Sequence, residues 1–180
     1  MAAESTFLKN NVLGSMQLID GTGSPVTLSL LYDRGNIKCT NWSQTLNELV
    51  KMVRRGRFVS AAHGERMFPV LSFSCFTGNL VGSSGTAPGT PWEFLTKKGA
   101  YSANISTLGA NRLYCVDVKL TIEGTNYGDT ADETVTFEDC YVTSEFAENV
   151  AGNELSFTAE VLGNIVHVNN TNTQTYAQIA

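Results

Sequence analysis

Two histidines and one Gly/Ser run are the residues of this chain that could carry nucleophilic catalysis. His63 and His167 would each need an exposed serine or cysteine nearby, and neither lies in the strand–turn–helix setting of a nucleophile elbow. The run 82–85 (Gly-Ser-Ser-Gly) also lacks that setting. Gly21 and Gly23 lack the third glycine of a dinucleotide-binding loop, and no P-loop lysine follows a glycine-rich stretch. We therefore predict a protein that is not an enzyme and binds no cofactor.

Carboxylate pairs are the second group that could do chemistry, as general acids and bases or as calcium ligands. Adjacent residues of a strand point to opposite faces, so the pairs 132–133 and 138–139 are predicted to split. The acidic segment 129–133 lacks the glycine and terminal glutamate of an EF-hand loop. The four cysteines have neither zinc-binding spacing nor the setting of a disulfide framework: Cys39, Cys75, Cys115 and Cys140. We predict solvated carboxylates, free cysteines and no metal site.

Charge is sparse in this chain, at 16% of the residues. Polar surface without charge suits burial against copies of the same chain, and it equally suits a weakly charged Ser/Thr/Asn-rich β domain. The net charge of −5 argues against a groove that grips nucleic acid. The basic residues Lys51, Arg54, Arg55 and Arg57 form the one basic cluster, which we interpret as a solvated or intersubunit face.

No stretch approaches the ~20 apolar residues of a membrane span, and the N-terminus lacks the apolar core of a signal peptide. We therefore expect synthesis in the cytoplasm and no contact with a membrane.

Alternation of apolar and polar residues predicts short strands along most of the chain. The predicted strands are 15–19, 26–31, 37–42, 57–62, 68–76, 113–122, 134–143, 155–161 and 165–168. A bulge at Glu138-Asp139 would shift the register of its strand. Residues 63–66 are predicted to be a turn. We interpret residues 1–11 as an N-terminal arm, 77–90 as a flexible loop and 169–180 as a loose C-terminal tail.

Two segments carry helical signals. Thr90 and Glu93 can form a capping box with Pro91 at the first helical position, which predicts a short helix ending at Gly99. The residues Trp92 and Leu95 of that helix would share the face that packs on a sheet. Segment 46–55 has apolar residues at helical spacing, but it also alternates well enough over 48–53 to be a strand. Periodicity leaves both interpretations open there.

These elements predict a single domain over residues 1–180. With no alternation of strands and helices along the chain, the sheets should be antiparallel. The predicted fold is mainly β: an antiparallel β-sandwich or partly closed barrel with one short flanking α-helix.

Three blocks of sequence, taken in order, carry a family resemblance. The first comprises 55–58 (Arg-Gly-Arg-Phe), 64–65 (Gly-Glu) and 69–73 (Pro-Val-Leu-Ser-Phe). The second is the helix after Pro91 and the alternating strand 114–120. The third comprises 135–142, the Ser-x-Phe of 144–146 with its acidic neighbours, 153–157 and Gly163. In order and spacing these blocks, which span Leu31 to Gly163, resemble the tail tube proteins of tailed bacteriophages. The resemblance favours a strand over 48–53.

The resemblance implies a β-sandwich protomer that forms hexameric rings, which stack into a hollow tube through which DNA leaves the capsid. The implied partners are copies of the same chain and other tail proteins: a sheath in a contractile tail, a tape measure protein, and a baseplate or terminator protein. Double-stranded DNA would pass through without specific binding. The implied location is the virion tail, after assembly in the host cytoplasm. The family has no active site, so the resemblance implies no catalytic residue.

Within that interpretation, some residues are candidates for the lumen and others for the contacts between rings. A negative wall lets DNA slide because like charges prevent adhesion. The lumen-lining candidates are Asp117, Glu138 and Glu160. The interface candidates are Phe7, Leu8, Arg54, Arg55 and Arg57.

Three other functions remain open at this point. Another virion component, such as a capsid decoration or head–tail joining protein, would share the β-rich and weakly charged composition. A carbohydrate-binding β-sandwich would expose aromatic residues on one face, whereas Trp42, Trp92 and Tyr127 are scattered along the chain. An enzyme is the least favoured, because the nucleophile, metal and cofactor motifs are missing.

Overall fold

The computed structural model describes residues 10–31, 37–40, 47–76, 88–125, 131–143, 147–149, 154–169 and 172–176. The fold is mainly β, with one short α-helix, α1 (Pro91–Thr96), followed by a 3-10 turn, Gly99–Tyr101. The strands are β1 (Asn10–Ile19), β2 (Thr27–Leu30), β3 (Ile37–Thr40), β4 (Asn47–Arg54), β5 (Arg57–Arg66), β6 (Val70–Phe76), β7 (Val116–Glu123), β8 (Glu133–Val142), β9 (Ala147–Asn149), β10 (Glu154–Val161), β11 (Ile165–Asn169) and β12 (Asn172–Tyr176).

Among the described residues all strand pairs are antiparallel, and they form two sheets. The large sheet has ten strands with the main order β2-β1-β7-β8-β10-β6-β3, while β11 pairs with β8 and β12, and β9 pairs with β10. The second sheet is the hairpin of β4 and β5. The path through the described strands ends at β2 and β3 and does not close into a barrel. The predicted mainly-β, antiparallel, sandwich-like fold with one short helix is confirmed.

One face of the large sheet carries the core. The ladders place Leu18 opposite Val118, and Phe157 opposite Phe73, and all four side chains are buried. The ring of Trp92 on α1 stacks on Phe157 with centroids 6.4 Å apart, so the helix packs on this face, as its apolar residues predict. Burial of each large apolar side chain contributes about 1.5–3 kcal/mol.

Helix α1 begins at the predicted capping box. The backbone N–H of Glu93 donates to Thr90 Oγ1 (3.2 Å), and the Thr90 N–H donates to Glu93 Oε2 (2.9 Å). The prediction that Gly99 ends the helix is wrong, because Lys97 takes the left-handed C-cap conformation with φ 55°. Gly99 has a different role: a Cβ there would lie 2.2 Å from Glu93 Oε1, so the capping carboxylate leaves no room for a side chain.

The turn after β1 is fastened to a distant loop by a buried carboxylate. Asp20 is 2% exposed, and its Oδ1 accepts the Val26 N–H (2.7 Å) and the Thr22 hydroxyl (2.9 Å). Its Oδ2 accepts the N–H of Ile105 (3.3 Å), whose carbonyl accepts the Gly21 N–H (2.8 Å). Donors around both oxygens offset the cost of burying the charge. The polar loop before β7 is thereby fixed against the first hairpin.

Three predicted boundaries are wrong, each because a strand occupies residues that were predicted to be a turn, a tail or an arm. The predicted turn 63–66 lies inside β5, which pairs with β4 as far as Arg66. The predicted C-terminal tail includes β12, whose Thr-rich sequence pairs along the whole of β11. The predicted N-terminal arm overlaps β1, which begins at Asn10. Pairing supplies partners for backbone groups that composition alone had assigned to loops.

Segment 46–55, which has both helical and strand signals in its sequence, contains the strand β4. β4 pairs with β5 across a two-residue turn in which Arg55 (φ 49°) and Gly56 (φ 75°) both have positive φ. Such a turn matches the right-handed twist of the strands it joins. The helical spacing of the apolar residues in β4 therefore has no structural counterpart. Of the predicted loop 77–90, residues 77–87 lie outside the described residues, and Gly89 is buried next to Tyr101.

Candidate functional site

The predicted bulge in β8 is confirmed. In the ladder with β7, Val116 pairs with Cys140 and Val118 pairs with Phe137, so β8 has one residue more than β7 between these pairs. Asp139, inside the bulge, has φ 54°. The bulge also lies where β8 changes its second partner, from β11 at Phe137 to β10 at Cys140.

Three carboxylates meet at this bulge. The N–H of Asp139 donates to Asp117 Oδ1 (2.9 Å), the Thr107 hydroxyl donates to Asp139 Oδ1 (2.6 Å), and Asn164 Nδ2 donates to Glu138 Oε2 (3.1 Å). The prediction that Glu138 and Asp139 split to opposite faces is wrong. A Cβ on residue 163 would lie 2.9 Å from Glu138 Cβ and 2.7 Å from Asp139 Oδ2, so both lie against this one glycine. Strand alternation fails at a bulge because the extra residue is unpaired.

Burial and like charge act on Asp117. The pKa of Asp117 is raised from 3.8 to about 6, chiefly by burial, with a further contribution from the negative charges of Asp139 and Glu138. The hydrogen bond from the Asp139 N–H acts in the opposite direction. Among the described residues, no group of three or more His, Cys, Asp or Glu side chains is suited to hold a metal ion. The hydrogen bonds of Asp117, Glu138 and Asp139 stabilise the bulge.

Glu160 lies apart from this cluster. It is on β10, where Leu155, Phe157, Ala159 and Val161 are buried and the alternate positions face away from the core. Its ladder partners are Val70 and Tyr141. Asp117 likewise alternates with the buried Val116 and Val118 on β7. The structure therefore brings Asp117 and Glu138 together, and it places Glu160 at another position of the polar side of the sheet.

The basic cluster lies at the tip of the β4–β5 hairpin. Arg54 pairs with Arg57 across the ladder, Arg55 is in the turn, and all three are exposed. The hairpin also exposes three apolar side chains that are not among the site candidates predicted from the sequence: Val53 (66%), Phe58 (66%) and Val59 (61%). The sequence signal that could have identified these side chains is the pair of adjacent apolar residues at 58 and 59. In a regular strand these two side chains point to opposite faces, so they cannot both lie on one buried face.

Several other candidates have structural positions that bear on function. His167 contacts Glu133 through a hydrogen bond between neighbouring strands β11 and β8. Trp92 packs on the core, unlike the exposed aromatic residue of a carbohydrate-binding face. The interface candidates Phe7 and Leu8 lie outside the described residues, as do Trp42 and Tyr127.

All four cysteines are free, as predicted. Cys75, Cys115 and Cys140 are buried, and Cys39 is half-buried. Burial raises the pKa of the Cys39 and Cys115 thiols to about 11 each. Near neutral pH these thiols are protonated and act as small hydrophobic groups.

The chain was compared with known protein families, with curated proteins and with solved structures. None of them matches it. Neither helical segment of the described residues has the length and hydropathy that crossing a bilayer requires.

Proposed function

We propose that this chain is a structural subunit that assembles with copies of itself into a hollow tube, the tail tube of a tailed bacteriophage. The observation that carries the proposal is an open antiparallel sheet with two different faces. One face carries the buried core, with helix α1 packed on it, while the alternate positions of β7 and β10 on the other face are polar, and the end strands β2 and β3 each pair on one side only among the described strands.

Open strand edges favour assembly. An edge strand presents a row of backbone N–H and C=O groups that can pair with another chain. Copies arranged in a ring would pair these edges and close one continuous sheet, with the polar faces directed at a common lumen. A hexameric ring that stacks into a tube is the arrangement that the sequence resemblance implies.

The polar face has the chemistry of a surface that DNA can pass. Asp117 on β7 and Glu160 on β10 contribute negative charge, and Ser156 and Thr158 share the polar side of β10 with Glu160. Like charge on the wall and on the phosphates prevents adhesion, so double-stranded DNA would move through without specific binding.

The remaining partners follow from the same proposal. They are other tail proteins: a sheath if the tail contracts, a tape measure protein, and a baseplate or terminator protein. The location is the virion tail after assembly in the host cytoplasm. This function requires neither catalysis nor a cofactor.

Negative-stain microscopy of the purified chain tests the proposal directly. We expect rings or hollow rods, because closure of the sheet needs only further copies of the chain. Rings that never stack would indicate a head–tail joining protein instead. Protein that remains monomeric at every concentration would contradict the proposal.

A pair of edge variants tests the mechanism of closure. Ser29→Lys with Thr40→Lys places charges on the exposed positions of the two end strands and should prevent rod formation. The matched control is Ala110→Lys with Asn111→Lys, which adds the same charge to an exposed turn and should leave the rods intact. Equal rod formation by both variants would exclude closure through β2 and β3.

A further inference from the structure

Charge is segregated along this chain. The segment 51–57 contains four of the twelve basic residues and no acidic one. From Val116 to the C-terminus the chain has eleven acidic residues and one basic residue, Lys119. An extended anionic surface attracts the region around 51–57 and repels the acidic half of the chain, so the protein would meet such a surface with its basic region first.

The basic region belongs to the β4–β5 hairpin, which is exposed. The hairpin forms a sheet of its own, and every residue from Val50 to Ala61 is exposed. Within the described part of the chain, no ion pair joins the tip residues Arg54, Arg55 and Arg57 to a carboxylate. The charges of the tip are thus available to an anionic partner.

Both faces of the hairpin carry exposed apolar side chains. Residues directly opposite each other in a ladder share a face, so Val53 and Phe58 lie on one face. Val50 and Met52 lie on the other face, where the Ser60 hydroxyl donates to Met52 Sδ (3.4 Å). The exposed fractions are 66% for Val53 and for Phe58, 51% for Met52 and 40% for Val50. A two-stranded hairpin is marginally stable alone in water, so a partner that covers these side chains stabilises it.

We propose that the β4–β5 hairpin is a membrane-docking arm that binds the surface of a bilayer rich in anionic phospholipid. Arg54, Arg55 and Arg57 pair with headgroup phosphates, and the apolar side chains of both faces enter the boundary between headgroups and acyl chains. Long basic side chains keep their charges at the headgroups while their stems lie along apolar surface. The expectation of no membrane contact follows from the lack of a spanning segment, whereas a hairpin that lies on a surface needs no span.

The distribution of apolar residues over two faces favours a lipid surface over other anionic partners. Duplex DNA would pair with the arginines but would leave the apolar side chains in water. A folded protein with one docking surface would cover one face of the hairpin and leave the other exposed. A lipid surface is fluid and surrounds the side chains that enter it, so both faces and the basic tip are covered together.

Flotation with lipid vesicles is the first test, because assembled protein would sediment without lipid. The intact chain should bind vesicles of phosphatidylcholine with about one-third phosphatidylserine at least about tenfold more tightly than vesicles of phosphatidylcholine alone. Arg54→Glu with Arg57→Glu should lose at least about tenfold of that affinity. The matched control, Lys98→Glu with Arg112→Glu, reverses two exposed cations outside the hairpin and should bind within about threefold of wild type.

Removal of the apolar side chains from each face is the second test. Val53→Ser with Phe58→Ser, and separately Val50→Ser with Met52→Ser, should each weaken binding to the anionic vesicles at least about threefold. Leu113→Ser removes an exposed apolar side chain outside the hairpin and should bind like wild type. Circular dichroism shows whether each variant keeps its strands. A loss of affinity from one face alone would indicate a one-sided contact and would overturn the inference.

Two further variants report the same contact without loss of apolar surface. Met52→Trp and Phe58→Trp place an indole on each face of the hairpin. The fluorescence of both variants should shift to shorter wavelength when anionic vesicles are added, because each indole leaves water. Wild type, which has two tryptophans of its own, gives the baseline. An unshifted emission from either variant on vesicles that it binds would contradict the covering of both faces.

Vesicle binding and rod formation are separate measurements. Rods that form from protein with no affinity for anionic vesicles would overturn the docking arm and leave the tube in place. Vesicle binding that depends on Arg54 and Arg57, by protein that never forms rods, would support the docking arm and contradict the tube. Wild type that binds duplex DNA through these arginines but binds no vesicles would make nucleic acid the partner. Arginine variants that change assembly alone would assign the hairpin to contacts between copies. Either of these last two results would overturn the inference.

Discussion

Similar apolar residues are buried in the main sheet and exposed in the β4–β5 hairpin. In the main sheet, Phe157 lies between Phe73 on the neighbouring strand and Trp92 on α1, and it is 2% exposed. In the hairpin, Phe58 is paired equally well in its ladder and is 66% exposed. The difference is a second layer: the chain supplies one for the sheet and none for the hairpin among its described residues. A pattern of apolar residues thus indicates a surface that gains stability when it is covered. The pattern does not indicate whether the covering residues come from the same chain or from another.

The largest expected effect separates these two phenylalanines. Phe157→Ala should destabilise the monomer by about 3–5 kcal/mol, because it leaves a cavity between sheet and helix. Phe58→Ala, the matched control, should change the free energy of unfolding by less than about 0.5 kcal/mol. Urea unfolding of the two variants measures both values. Similar losses in the free energy of unfolding for both variants would show that the hairpin packs against the rest of its own chain.

Substitution of Gly21 tests how closely the turn after β1 packs against the loop that contains Ser106. A Cβ at residue 21 would lie 2.2 Å from the backbone oxygen of Ser106, so Gly21→Ala should cost about 2–3 kcal/mol through displacement of that loop. Nothing lies within 4 Å of the corresponding position at Gly23, and Gly23→Ala should change the stability by less than about 0.5 kcal/mol. Chemical denaturation distinguishes the two, and equal stability would contradict the close packing of this loop.

The carboxylate cluster should make the stability of the body depend on pH. Because the pKa of Asp117 is raised from 3.8 to about 6 in the folded state, its protonation stabilises the fold. That stability is fully present below about pH 3.8 and is lost as the pH rises through about 6. Asp117→Asn should therefore stabilise the protein at pH 7 by about 1–2 kcal/mol, a value reduced for the partial exposure of the group.

Urea unfolding between about pH 4 and pH 8 tests this effect. The Asp117→Asn variant should lack the part of the pH dependence that wild type shows in this range. Lys119→Gln removes a charge from the same side of β7 and should retain the wild-type dependence. A wild-type profile for Asp117→Asn would show that the cluster does not couple to folding.

The smallest expected effect lies in the hairpin turn. Gly56 has φ 75°, so Gly56→Ala strains the turn by about 1 kcal/mol. Because the hairpin forms a separate sheet, the free energy of global unfolding should change by less than about 0.5 kcal/mol, while hydrogen exchange of the β4 and β5 amides becomes faster. If the free energy of global unfolding falls by the whole of the ~1 kcal/mol strain, the hairpin does not open separately from the rest of the chain.

Local signals were the most predictable part of the structure. The capping box of Thr90 and Glu93, the bulge at 138–139 and most strands follow from short-range chemistry, so the sequence alone predicts them. The turn predicted at 63–66 and the tail predicted at 169–180 are wrong, because long-range pairing with β4 and β11 outweighs a composition typical of loops. Of the site candidates, only the position of the basic cluster on an exposed surface follows directly from sequence.

Sequence by itself determined the mainly β fold class of this protein, because alternation of apolar and polar residues requires strands, and it determined that the charges separate along the chain. Tertiary structure alone decided which apolar residues are covered. It placed Asp117, Glu138 and Asp139 at one bulge, and it left Val53, Phe58 and Val59 in water. The physical reason is that periodicity specifies the faces of an element, whereas burial depends on what packs against each face, and that is settled only when distant segments meet.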